Sequence, residues 1–288
     1  MEWFQQPFQQ HLDDYIAGKI SEKQMLHLTE YFERWGYDYR LYRPVMQYAR
    51  EHNIPIIALN ASTELRKALS NSGISELPAE LKKQLPESYD WSDKDYEKRL
   101  RKVLEQHPNY KGTFESFLRG QLTWDESMAE RTAEYLMQNP GSRMLVLAGA
   151  GHIEFGSGIP NRIKRRIDVK LVSIMVAEGM LGISSDMADY LVISEARELE
   201  PVGLIGAYLN NTSEKVIISG FSKNSAIRDA GLKEGAVIVG VDDEMIRSNA
   251  DFRLAMLNKR AGDTIQLHYR NNERDDSGQA QTVEIRLR

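Results

Sequence analysis

A histidine set just after two glycines, Gly149-Ala-Gly-His152, follows the apolar run Met144-Leu-Val-Leu-Ala148. That pattern predicts an imidazole at the C-terminal tip of a buried strand, the rim where open α/β sheets bind ligands. Glycines there let backbone approach a ligand without a Cβ clash, and histidine both titrates near neutrality and ligates metals. Gln121, Trp124, Asp125 and Met128 stand at i, i+3, i+4 and i+7, so they share one helix face. Glu2 and Asn60 also fall at predicted strand ends. If Glu2, Asn60, Gln121, Asp125, Gly149, Gly151 and His152 converge on one rim, they could seat a ligand, contribute His152 to a divalent metal, or exchange protons. Too few firm ligands are present for a zinc site. Blander alternatives stand beside these readings. His152 could bond only backbone at a strand end, Asp125 could sit at a helix start beside Gly120, favoured by the macrodipole, and Trp124 and Met128 could be plain core.

The elements that must position these residues alternate. Helices are predicted over 8–17, 37–52, 93–106 and 114–137, the last in two pieces around Gly120. Ser21-Glu-Lys-Gln24 reads as a capping box and Ser62 as the cap of a helix reaching residue 69. Residues 71–92 read as loop. Buried strands are predicted over 54–59, 144–148, 169–176 and 190–194. This alternation gives an α/β fold with a mostly parallel sheet flanked by helices on both faces. From about residue 201 the texture changes to short alternating strands over 202–208, 215–219, 236–241, 264–269 and 282–287, with helices over 226–230 and 249–260. Two domains follow, 1–195 and a small β-rich 201–288.

Composition narrows the function classes. A net charge of -5 disfavours a nucleic-acid binder, which needs a basic surface. The absence of cysteine removes disulfides, thiolate metal sites and cysteine nucleophiles. No apolar stretch is long enough to span a membrane, and no signal peptide is visible. The basic cluster Arg162, Lys164, Arg165, Arg166 and Lys170 reads as a solvated helix end, with an anion or membrane-surface contact as the weaker alternative.

Two family resemblances extend this reading. Ser225-Ala-Ile-Arg-Asp-Ala-Gly-Leu-Lys-Glu-Gly235-Ala-Val-Ile-Val-Gly-Val-Asp-Asp243 resembles a PDZ domain of the bacterial, protease-associated type, with Ser225 and Ala236 where that family carries proline and aspartate. The resemblance implies capture of a protein C-terminal peptide by β-augmentation. Gly203-Leu204-Ile205-Gly206 would form the carboxylate loop, Leu204 to Tyr208 (with Ile205, Gly206 and Ala207 between) the receiving edge strand, and Asn249 to Phe252 the helix that sets side-chain preference. Recruitment of a partner or self-association into a homodimer would follow from such a groove.

The remainder resembles the ChaN-like haem-binding uptake family of the Tiki/erythromycin-esterase superfamily. The match lies in Met1-Glu2-Trp3-Phe4 with the following helix, in residues 35–48 with Ile57-Ala58-Leu59-Asn60, and in Gln121-Leu-Thr-Trp124-Asp125-Glu-Ser-Met128-Ala129 followed by Gly149-Ala-Gly151-His152 and Gly158-Ile-Pro160. The family opens with a strand ending in Gly-Glu-X-X-His, and this sequence starts after it. The resemblance implies haem as cofactor, which needs an apolar slot and an axial ligand; Tyr39, Tyr42 and His152 are the candidates. It also implies an envelope setting, periplasmic or lipoprotein-anchored if a signal lies upstream and cytoplasmic otherwise. The readings that stand are a haem- or iron-binding protein with a peptide-binding module, a metal-dependent or acid-base hydrolase, and an interaction protein without a ligand site.

Overall fold

The structure is a computed structural model that describes residues 1–71, 73–179, 182–212, 215–272 and 280–288. Its helices are α1 (Gln9–Ile16), α2 (Glu22–Leu28), α3 (Tyr31–Arg34), α4 (Arg43–Glu51), α5 (Thr63–Asn71), α6 (Ala79–Lys82), α7 (Lys94–Glu105), α8 (Phe114–Gln138), α9 (Ile159–Arg166), α10 (Ala226–Asp229) and α11 (Asn249–Met256). Its strands are β1 (Ile174–Glu178), β2 (Tyr190–Ser194), β3 (Ala207–Thr212), β4 (Lys215–Phe221), β5 (Val237–Val241), β6 (Glu244–Met245), β7 (Thr264–Arg270) and β8 (Gln281–Arg286). The chain divides into two compact units, one of residues 1–19 and 48–197, the other of residues 20–47 and 198–288.

The first unit is mostly helical. Thr113 caps α8 by accepting from the Ser116 amide, and the helix runs 25 residues without interruption at Gly120. Asp125 therefore sits in mid-helix and not at a helix start. Met128 and Ala129 of α8 pack with Ile57, Leu59, Ile159 and Ile163 in a buried cluster. Among the described residues the parallel sheet of this unit has two strands, β1 and β2, paired from Ile174↔Tyr190 to Glu178↔Ser194. The mostly parallel, helix-flanked sheet expected from the sequence is thus reduced, among the described residues, to this small parallel pair.

The reason lies in backbone pairing. Segments 54–59 and 144–148 are strands by pattern, and Ile56 to Leu59 are indeed buried. Yet these segments bond only sparsely with residues 1–6: Met1 donates its amino group to the Ile57 carbonyl at 2.7 Å, the Leu59 amide donates to Met1, and the Glu2 amide donates to Leu147. Gln5 and Asn60 form an isolated parallel bridge. A ladder needs successive paired groups, and these contacts do not supply one. Leu145 is 75% exposed, so the 144–148 run is not covered on both faces as a central parallel strand would be. The strand predicted from residue 169 begins only at Ile174, because Ser173 turns its amide and hydroxyl to the Asp189 carboxylate.

The second unit has an antiparallel sheet in the order β3-β4-β5-β7-β8, with β6 beside β5. Val216, Ile218, Ile227, Ile238, Leu267 and Ile285 are at the centre of its core. Ser248 and Asp251 form a capping box that starts α11. Ser21 and Gln24 form another that starts α2, as their spacing predicts. The helix predicted over 37–52 is broken: Asp38 caps a single 3-10 turn at Tyr39–Leu41, and α4 starts afterwards with Pro44 in its first turn, where a missing N–H costs nothing.

Candidate functional site

In the first unit, α8 presents Asp125 and, one residue on, Glu126, both fully buried. His152 follows the glycine turn in a short 3-10 segment, Ala150–His152. Its Nδ1 lies 2.5 Å from Asp125 Oδ1 and its Nε2 3.3 Å from Glu2 Oε1. The other Glu2 oxygen accepts from the Gly149 amide at 2.6 Å. The other Asp125 oxygen accepts from the Tyr96 hydroxyl of α7 at 2.6 Å. Gly158, at φ +76°, closes the turn, and a Cβ there would fall 2.5 Å from the His152 carbonyl oxygen, so only glycine fits.

Burial opposes charge on the imidazole, but Asp125, then Glu2, override it and raise the His152 pKa to about 10. Burial likewise opposes charge on Glu2, whose hydrogen bond and charge contact with His152 and whose Gly149 amide bond hold its carboxyl below the usual range. Burial and the Asp125 charge push the Tyr96 phenol far up, so it remains a donor. The product is an imidazolium held between two carboxylates.

Of the predicted rim residues, Glu2, Asp125, Gly149 and His152 come together. Asn60 joins at one remove by donating from Nδ2 to the Glu2 carbonyl at 2.8 Å. Gln121 is half-buried on α8 and Gly151 is exposed, and neither has a bond in this network among the described residues. No group of three or more histidine, aspartate or glutamate side chains among the described residues could hold a metal ion. The imidazole nitrogens that a metal would need are both given to carboxylates.

Sequence reading missed the neighbouring cluster. Arg162 of α9 is 1% exposed, not a solvated helix end. Its Nε stands 3.2 Å from Glu126 Oε1, an ion pair without hydrogen-bond alignment, while its Nη1 donates to the Gly158 carbonyl. Arg165 and Arg166 reach Glu126 Oε2 at 2.7 and 2.6 Å, and the Asp90 amide donates to Oε1. The Arg162 guanidinium also lies over the Tyr96 ring, 4.5 Å from its centroid. Tyr96 thus joins the two clusters, its ring facing one and its hydroxyl the other. Its only local signal is a position on an amphipathic helix.

In the second unit an apolar groove of about 390 Å³ opens beside β3, an edge strand, with Phe252, Met256 and Leu257 of α11 and the following turn on one side. Gly203, Leu204, Ile205, Gly206 and Ala207 line it, whereas Tyr208 and Asn249 are not among its lining residues. The edge strand is β3, three residues later than the sequence reading put it. Gly206 causes the shift: it turns at φ +77°, with Ser225 Cα 2.5 Å from where a Cβ would be, and breaks the extended run. Leu204 is already paired on both backbone groups with Arg288, and the Gly203 amide donates to the Lys259 carbonyl. Phe32, Asp38 and Arg40, from residues 20–47 of the same unit, form a further wall that no local pattern signals.

Comparison with known proteins finds two families along the chain, the first match running through residues 20–47 as well. The family model described as haem-binding uptake, Tiki superfamily, ChaN matches residues 1–163, and a PDZ domain model matches residues 203–286. No curated protein matches the chain. Among solved structures, the PDZ domain of a carboxy-terminal protease from Vibrio cholerae in complex with peptide is 20% identical, covering 30% of this chain and 93% of its own, with a TM-score of 0.26. The photosystem II D1 C-terminal processing protease is 15% identical over 30% of this chain and 23% of its own, TM-score 0.26. An aminopeptidase N family protein from Idiomarina loihiensis is 15% identical over 67% of this chain and 31% of its own, TM-score 0.26.

Proposed function

The chain belongs to the haem-binding uptake family of the Tiki superfamily, ChaN, and on that premise we propose that it is a partner-recruiting binding protein whose C-terminal PDZ domain takes the free C-terminus of another polypeptide. The observation that carries this reading is the groove itself. Among the described residues β3 has a strand partner on one side, β4, and none on the other, and an apolar trough of about 390 Å³ lies along it, which is the geometry strand addition needs. Backbone of the peptide would extend the sheet at β3, and its terminal apolar side chain would enter between Ile205, Phe252 and Met256.

The test is fluorescence polarisation of the full chain with labelled heptapeptides randomised at the last three positions among Ala, Val, Leu and Phe. Free-acid peptides are expected to bind with micromolar Kd. A library that shows no binding above background sinks the reading.

Haem is the ligand class that the family description brings. Haem iron needs an axial donor with a lone pair facing an apolar slot. His152 has both ring nitrogens on carboxylates and carries a proton up to about pH 10. Tyr39 is fully buried, with its hydroxyl donated to Glu22 at 3.0 Å. Tyr42 is half-buried, and its hydroxyl accepts from the Trp35 indole at 3.5 Å. These side chains do not fit an axial role. Haemin titration of His152→Ala is therefore expected to reproduce the wild-type absorption spectrum, and a Soret change lost in that variant would reverse the assignment. The hydrolase reading is weakened by the same charge, since an imidazole already protonated at neutrality has no lone pair with which to take a proton.

A further inference from the structure

We infer that Arg40, contributed by the segment 20–47, binds the terminal carboxylate of the peptide in the groove. The inference rests on the peptide-groove reading and goes beyond it by assigning the charge that the loop itself does not provide. In a groove of this kind the carboxylate is met by loop amides. Here the Gly203 and Leu204 amides are already spent on the Lys259 and Arg288 carbonyls. The Ile205 and Gly206 amides donate to no backbone carbonyl among the described residues and remain for a carboxylate, but they carry no formal charge, and a cation beside the loop adds a charge-assisted contact.

Arg40 stands at that end of the groove. Its Nη1 donates to the Glu200 carbonyl at 2.7 Å, three residues before Gly203. Asp38 holds the guanidinium side-on, accepting from Nε at 3.1 Å and from Nη2 at 2.7 Å. A guanidinium has five N–H donors. Those contacts use one on each nitrogen, which leaves one on Nη1 and one on Nη2, a pair suited to a planar carboxylate.

The charge count points the same way. Asp38, Arg40 and Arg253 are the charged residues that line the groove. Arg253 is laid over the Phe32 ring, 4.6 Å from its centroid, and lies close enough to Asp38 to help depress its carboxyl pKa. Two cations against one anion leave the lining one negative charge short, and the peptide terminus supplies it. Asp38 offsets part of the Arg40 charge that the carboxylate would otherwise meet in full.

The experiment compares the heptapeptide mixture as free acids with the same mixture as C-terminal amides, on the wild-type full chain, Arg40→Gln, Arg40→Lys and Asp38→Asn. Wild type is expected to bind the acids about tenfold more tightly than the amides, the size of one charge-assisted contact. Arg40→Gln should reduce that ratio to about twofold or less while amide binding stays near wild type, and Arg40→Lys should restore part of it. Asp38→Asn should raise the ratio, because the lining then carries two uncompensated cations; a purely structural Arg40–Asp38 pair would instead weaken acid and amide binding alike. Retention of the wild-type ratio by Arg40→Gln overturns the assignment and leaves the groove reading intact. Binding of neither form by wild type overturns both.

Discussion

Replacing Glu126 with alanine should cost the first unit about 3–5 kcal/mol, the usual penalty for removing one partner of a buried ion pair. Glu126 is completely buried and answers Arg162, Arg165, Arg166 and the Asp90 amide at once. Without it Arg162, itself 1% exposed, is left with the Gly158 carbonyl and the Tyr96 ring as its direct contacts among the described residues. A guanidinium cannot shed its proton to escape that position. The reciprocal change, Arg162→Met, should be milder, because Glu126 would still hold Arg165 and Arg166 and the methionine would fill much of the volume. Glu130→Ala should cost about 1 kcal/mol or less, since Glu130 is partly exposed and meets only Arg166 at 3.3 Å among the ion pairs here. Urea unfolding followed by tryptophan fluorescence orders the three. Equal losses for Glu126→Ala and Glu130→Ala would show that the buried cluster contributes no more than the partly exposed Glu130, which holds Arg166 and the Glu87 amide.

That cluster marks the limit of what local pattern can say. Ser21 and Gln24 announce their cap because both partners lie within one turn. Asp125 is legible as a site residue because its helix face repeats at i and i+4, and His152 because two glycines set it apart. The order of strands from 215 to 286 follows from alternation, and alternation is a local property. By contrast, the partners of Glu126 lie 36 to 40 positions away on α9. In one dimension the basic run Arg162-Ile-Lys-Arg-Arg166 reads as a solvated helix end, since nothing short-range says that a carboxylate waits beneath it. The same holds for Arg40, more than 160 positions from the loop it stands beside. The expected parallel sheet failed for a related reason. Apolar runs at 54–59 and 144–148 report burial, and burial was found for most of the first run, but ladder formation depends on which backbone lies alongside. Among the described residues only 1–6 do so, with a few isolated bonds.

His152 should remain an imidazolium at pH 8, and the first unit should lose stability as pH rises from about 6.5 toward 10. The sign follows from proton counting. In the unfolded chain the imidazole releases its proton near its ordinary value of 6.5, while the folded one keeps it to about 10. Between those limits the folded state binds the extra proton, so raising pH favours unfolding; below 6.5 the contribution is complete. Histidine NMR shifts report the protonation state directly, and urea midpoints at pH 6, 8 and 9.5 report the linked stability. Asp125→Asn removes the nearer carboxylate, which is the largest of the forces that hold the proton. It should bring the His152 titration down toward neutrality and flatten the pH slope, while Glu2→Gln, at the longer 3.3 Å contact, should do so less. A wild-type imidazole found neutral at pH 8 would return a free ring nitrogen to the site. With it would return the metal, haem and general-base chemistry that this charge now argues against.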